Sequence, residues 1–249
     1  MVNRDPTGGR VTKTERRTQA RLERAALQRK MDRAKRTRRI GMIVALLGVV
    51  TVVLVFVLRS GPTVASPAEL LRRAPEAMAA AGCGDVTNVG PYNPRTDDQR
   101  HITDSSQLPP LSSYPSVPPA SGPHNQIPLG AGVYDAPPPI DRVIHSLEHG
   151  AVVVWYSPDA EGPQLDPLRE FFSGVEGDRV IVAPYDYPER GVAGRLPAGT
   201  RMALVAWHFV QECADVSLPT AFEFASQYGA PPFGQRRYLG EAPEPGQAF

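Results

Sequence analysis

The pentapeptide His145-Ser146-Leu147-Glu148-His149 places two imidazoles and a carboxylate within five residues of a chain that has only five histidines. Side chains three and four apart share one face of a helix, so a single helical turn here would gather all three groups. His101 and His124 lie upstream. If the intervening segment folds back on this turn, His101, His124, His145 and His149 converge on one cation, with Glu148 as a ligand or as a partner orienting one. Imidazole ligation suits Zn or Cu and disfavours Mg or Ca, and no cysteine stands close enough for a blue-copper centre. The bland alternative for each histidine is a hydrogen-bonded structural residue. That is the reading for the isolated His208, while Met202, in an apolar run, reads as core.

The same five residues also fit H-x-x-E-H, the inverted zinc-peptidase pattern in which the glutamate acts as base. That chemistry needs a longer helix than Gly150 and the following Val-rich run allow, and the sequence carries no signal for the distant acidic ligand.

The elements that must position these groups follow from local pattern. Gly150 ends the helical turn, and Ala151–Tyr156 reads as a buried strand. Asp166-Pro167 opens a helix through Leu168, Phe171 and Phe172. Residues 179–184 and 202–209 read as two more strands, and Thr220 with Glu223 suggests a capping box for a last helix ending at Tyr228. Upstream, Ser66-Pro67-Ala68-Glu69 predicts a capped helix from Pro67 to Ala81 that stops at Gly82 and delivers Cys83. From Gly84 to Arg142 regular structure is hard to argue, and between Leu108 and Pro139 prolines recur every few residues. Tyr92, Tyr114, Ile127, Val133 and Tyr134 mark this stretch as an ordered wrap packed on something else. The order of elements predicts an α+β fold: a small mixed or antiparallel sheet with flanking helices and a long Pro-rich wrap, preceded by one transmembrane helix.

That transmembrane helix is residues 40–58, 19 uncharged residues in a row, enough to cross a hydrocarbon core of about 30 Å. The run is too long for the core of a cleaved signal peptide. Residues 1–39 carry 14 Lys and Arg against 4 Asp and Glu, whereas the remainder has 13 basic and 22 acidic residues. The positive-inside bias puts this basic head in the cytoplasm and residues 59–240 outside the cell membrane, followed by a frayed tail over 241–249. The head has no Phe, Tyr or Trp, and no nucleic-acid partner is expected; the bilayer, and a membrane protein complex, are the expected partners. Cys83 and Cys213 are the only cysteines. Outside the cytoplasm they are most simply a disulfide, with two separate buried thiols as the alternative.

The segments Pro118–His124 (PPASGPH), Gly132-Val133-Tyr134 and Val143–Gly150 (VIHSLEHG), with Tyr156, the upstream His101 and Ala206-Trp207, resemble the bacterial family called domain of unknown function 3105. The resemblance covers roughly the whole outer domain. It implies a fold grouping, a signature set of His124, His145, Glu148 and His149, and commonly one N-terminal membrane helix, but no activity. The sequence departs from the family pattern at Asn125, where an aromatic commonly follows the SGPH histidine.

Three functions are compatible with these residues. The first is a membrane-anchored domain that holds Cu or Zn for binding, delivery or support of a membrane complex. The second is a metal-free interaction module braced by its histidines. The third is a metal-dependent hydrolase or oxidoreductase using Glu148.

Overall fold

The computed structural model describes residues 65–160, 162–174, 179–231 and 237–249, together with 29–31, 42 and 48. The basic head and the apolar run 40–58, apart from those isolated positions, lie outside the described residues. Among the described residues no helix is long and apolar enough to cross a membrane. The chain divides into two units, Met1–Thr63 and Val64–Phe249, and the sheet and its helices belong to the second.

Eight strands are present among the described residues: β1 (Thr87–Asn88), β2 (His101–Ile102), β3 (His124–Asn125), β4 (Gly132–Val133), β5 (Val152–Tyr156), β6 (Val180–Pro184), β7 (Met202–Ala206) and β8 (Phe209–Cys213). Six of them form one mixed sheet in the order β1-β8-β7-β5-β6-β4, and β2 and β3 form a separate parallel pair. Among the described residues of the second unit, four α-helices accompany them: α1 (Pro67–Ala80), α2 (Ile140–Glu148), α3 (Leu165–Ser173) and α4 (Leu218–Tyr228).

The central strands are apolar without a break because both faces of the sheet are covered. Alternate residues divide between two cores. Val152, Val154, Val180, Val182, Met202 and Leu204 pack with Leu70, Phe171, Phe172, Phe222 and Phe224, from the helices α1, α3 and α4. Val153, Trp155, Ile181, Ala203, Val205 and Trp207 face the other way, onto α2 and the wrap residues Tyr92, Leu108, Leu111, Tyr114 and Ala120. Each large side chain fully buried in this way contributes about 1.5–3 kcal/mol. The Pro-rich stretch is thus an ordered second layer.

Several local expectations need correction. Ile127 is 61% exposed rather than buried: the Asn125 side chain caps its amide in a tight turn and Arg142 holds its carbonyl, which leaves the side chain outward. The run 202–209 is not one strand but the start of a hairpin, β7 and β8, joined by Trp207-His208. His208 takes a φ of 66° there, a region that residues other than glycine enter uncommonly, and Trp-His is not among the glycine-bearing pairs that mark a tight hairpin. The last helix is capped by Ser217, whose hydroxyl accepts from the Thr220 amide, with Pro219 in its first turn. The first helix matches its predicted start, with Ser66 accepting from the Glu69 amide. Beyond it Cys83 is bonded to Cys213 on β8.

Candidate metal centre

Helix α2 begins after three consecutive prolines and carries the whole His-x-x-Glu-His element in its last turn, with His149 as the C-cap. Its core face, Ile140, Val143, Ile144 and Leu147, is buried under the sheet, which fixes the rotation of the helix and aims His145 and Glu148 at the β2–β3 pair. Gly150 then turns the chain into β5 with a φ of 86°. A Cβ at that position would lie 2.4 Å from the Ala230 Cβ, so the turn needs glycine for conformation and for space.

His101 and His124 are register partners in the parallel β2–β3 ladder. Parallel neighbours project their side chains to the same face, and the two rings stand 4.7 Å apart at their centroids. The His145 ring lies 4.9 Å from each of them. One ligand atom from each of His101, His124, His145 and Glu148 lies within 4.8 Å of all the others. Glu148 Oε2 is 3.0 Å from His124 Nε2, 3.4 Å from His101 Nε2 and 3.9 Å from His145 Nε2. The edge of a tetrahedron with metal–ligand bonds of about 2.0–2.1 Å is roughly 3.3 Å. The contacts bracket that value.

His149 is not one of these four. Its Nε2 is 3.1 Å from His145 Nε2 and 3.3 Å from Glu244 Oε2, and His149, Glu148 and Glu244 form a second group with ligand atoms within 4.8 Å. Glu148 therefore belongs to both groups. No motif or spacing pointed to Glu244, which lies in a stretch expected to be frayed. Residues of that stretch bond to the end of α2: the amides of Glu244 and Gly246 donate to the carbonyls of Glu148 and His149, and Arg179 donates to the carbonyls of Gly246 and Gln247.

The tautomers follow from the partners. His124 Nδ1 donates to the Gly122 carbonyl at 2.7 Å, His145 Nδ1 to the Asn125 carbonyl at 2.6 Å and His149 Nδ1 to the Ala248 carbonyl at 3.0 Å. A carbonyl only accepts, so each Nδ1 carries a proton and each neutral ring presents a lone pair at Nε2. All three lone pairs point at other acceptors. Such a constellation requires a cation or added protons at its centre. Burial, with the neighbouring His124 and His149, pushes His145 down to about 4 despite the bond to Asn125, so at neutral pH this ring does not supply the proton. Burial also raises Glu148, but with an added proton on His124 Nε2 the bond it donates, together with the imidazoles around it, prevails and holds the carboxyl below the usual carboxylate range.

Asn125 is built into this support. Its side-chain amide donates to Asp141 while its carbonyl orients His145. His208 stands apart from the cluster, bonded to Asp98 and Glu241.

The pattern of a family described as a protein of unknown function (DUF3105) matches residues 111–238. The chain belongs to this family. The matched region contains His124, His145, Glu148 and His149, whereas His101 and Glu244 lie outside it. No curated protein and no solved structure matches the chain. For this DUF3105 member, then, the geometry is what bears on function: a buried His/Glu cluster able to hold a metal ion.

Proposed function

We propose that this protein is a single-pass membrane protein whose outer domain binds one Zn or Cu ion through His101, His124, His145 and Glu148, for metal binding, delivery or support of a membrane complex. One observation carries the reading: the Nε2 lone pairs of His124 and His145, fixed by bonds from Nδ1 to carbonyls, face the Glu148 carboxylate with no hydrogen-bond donor between His145 and that carboxylate. A divalent ion satisfies every member at once, and the carbonyl-bonded Nδ1 groups are the outer partners that orient metal-binding imidazoles. His124 and Glu148 are buried at 0% and 2% exposure, and His101 forms the solvent side. Glu148, enclosed by imidazoles, suits the role of ligand better than that of general base. The apolar run 40–58, the basic residues before it and the Cys83–Cys213 disulfide support the cytoplasm-in topology.

The competing reading replaces the ion with protons, and the 3.0 Å contact between His124 and Glu148 favours it, since a protonated His124 would make an ordinary ion pair there. Elemental mass spectrometry on the full chain, purified in detergent without an affinity tag, separates the two. At least one Zn or Cu per chain in the parent, and none in a folded His124→Ala/His145→Ala variant, is the expected result. No metal in the parent after incubation with both ions would leave the domain a metal-free interaction module.

A further inference from the structure

Six side chains meet at this centre, more than one tetrahedral ion can use. The inner four, His101, His124, His145 and Glu148, make a complete coordination set. His149 and Glu244 remain. His149 is 7% exposed, its Nδ1 is committed to the Ala248 carbonyl, and its lone pair faces His145 Nε2 on one side and a Glu244 oxygen on the other. With both Nδ1 atoms donating to carbonyls, neither Nε2 of His145 and His149 carries a proton for the other, and ligation of the inner ion by His145 leaves the His149 lone pair without a partner on that side. A cation between His149 Nε2 and the Glu244 oxygen would satisfy both.

Glu148 links the two halves. It is the one residue shared by the inner four and the outer group of Glu148, His149 and Glu244, and a carboxylate has two oxygens, so it can ligate one ion with each. Carboxylate-bridged ions of this kind stand about 3.5–4 Å apart. The backbone that carries the outer ligands is tied to the end of α2. Glu244 is fixed by its own amide on the Glu148 carbonyl, and the following residues are clipped by Arg179, whose guanidinium also lies over the Phe249 ring at 5.3 Å.

We propose that the centre takes two divalent transition-metal ions, an inner one on His101, His124, His145 and Glu148, and an outer one on His149, Glu244 and the second oxygen of Glu148. The inner ion has four protein ligands. The outer ion has three, and the Glu244 side chain is 43% exposed, so solvent reaches it and a coordination position stays open for water or an anionic ligand. Four protein ligands mark a structural site, and three with an open position mark an exchangeable or reactive one. The inference rests on the one-ion reading above and extends it.

The test is ion stoichiometry on the full chain in detergent, stripped with a chelator and titrated with Zn(II), then with Cu(II) read by electron paramagnetic resonance. The parent should bind two ions per chain, with the Cu(II) signal broadened by coupling between neighbours. Glu244→Gln should bind one, with an isolated Cu(II) signal and an unchanged circular dichroism spectrum. His149→Gln should behave in the same way, which covers the case in which one variant misfolds. One ion in the parent and in Glu244→Gln overturns the second ion and leaves the first. One ion in the parent that is lost in His149→Gln overturns the division into two positions and assigns His149 to a single ion. No ion in the parent overturns both readings.

Discussion

Asp98 Oδ2 accepts from His208 Nε2 at 2.9 Å, joining residues 110 positions apart in the chain. The other oxygen of Asp98 accepts from the Ser121 hydroxyl and the Tyr92 amide, both at 2.6 Å, and its carbonyl accepts from the Gly122 amide. One buried carboxylate thus fixes the turn that carries His124, and the β7–β8 hairpin holds that carboxylate. Asp98→Ala strands three donors at once and should cost on the order of 3 kcal/mol. Urea unfolding would measure it. Zn affinity should fall in the same variant, because His124 loses its placement although none of its own bonds was removed; a full-strength Zn site in a destabilised Asp98→Ala protein would contradict that role.

Glu148→Gln separates a metal ligand from a structural brace. The amide keeps the shape of the carboxylate and adds N–H donors, which the facing Nε2 lone pairs accept. Without metal the variant should be as stable as the parent or up to about 1 kcal/mol more so, while Zn affinity falls by at least about 100-fold. Thermal unfolding with a chelator, beside a Zn titration, reads both. Loss of the metal-free fold in this variant would count against the acceptor-against-acceptor geometry.

Protonation provides a second handle. Buried His145 is held to about 4 against an ordinary value of 6.5. Above 6.5 the ring is neutral in both folded and unfolded chains, and its contribution is fully present. As pH falls from 6.5 towards 4 the unfolded chain takes a proton that the folded one refuses, so the metal-free protein should lose up to about 3 kcal/mol across that window. His208 works in the opposite sense. Burial lowers it, but the bonds to Asp98 and Glu241 outweigh that and raise it, so its contribution is complete below 6.5 and fades as pH rises through the higher folded value. Urea midpoints taken with a chelator at several pH values should fall on the acid side in the parent and flatten there in His145→Gln. A parent midpoint that does not change between pH 6.5 and 4 would rule this out.

What the sequence made legible follows the range of the interactions. The HSLEH turn, the buried strands β5 and β6 and the Ser66 cap are set by neighbours a few residues apart, and periodicity and cap chemistry reveal them. The resemblance to the DUF3105 family pointed to His124 with the later cluster. The pairing of β2 with β3 and the approach of Glu244 to His149 join residues distant in the chain, and two-residue strands have no period to read. The β7–β8 hairpin was hidden because its turn, Trp207-His208, lacks the glycine or asparagine that usually marks a positive φ.

The turn after α2 supplies the sharpest mutational test of how the outer ligands are held. Gly150 combines a φ of 86° with an approach that would put a Cβ 2.4 Å from the Ala230 Cβ, and its carbonyl accepts from the Ala230 amide at 2.8 Å. Gly150→Ala therefore meets two separate penalties, about 1 kcal/mol or more for the left-handed backbone and about 1–3 kcal/mol for the overlap. Adding Ala230→Gly removes the overlap but not the backbone strain. The double variant should recover part of the lost stability in urea unfolding and stop short of the parent. Because Gly150 directly follows His149, the single variant should also lose the ion held by His149 before the one held by His124, which a Zn titration of both variants would resolve. Full recovery in the double variant would mean that the left-handed backbone costs nothing here and that space alone selects glycine.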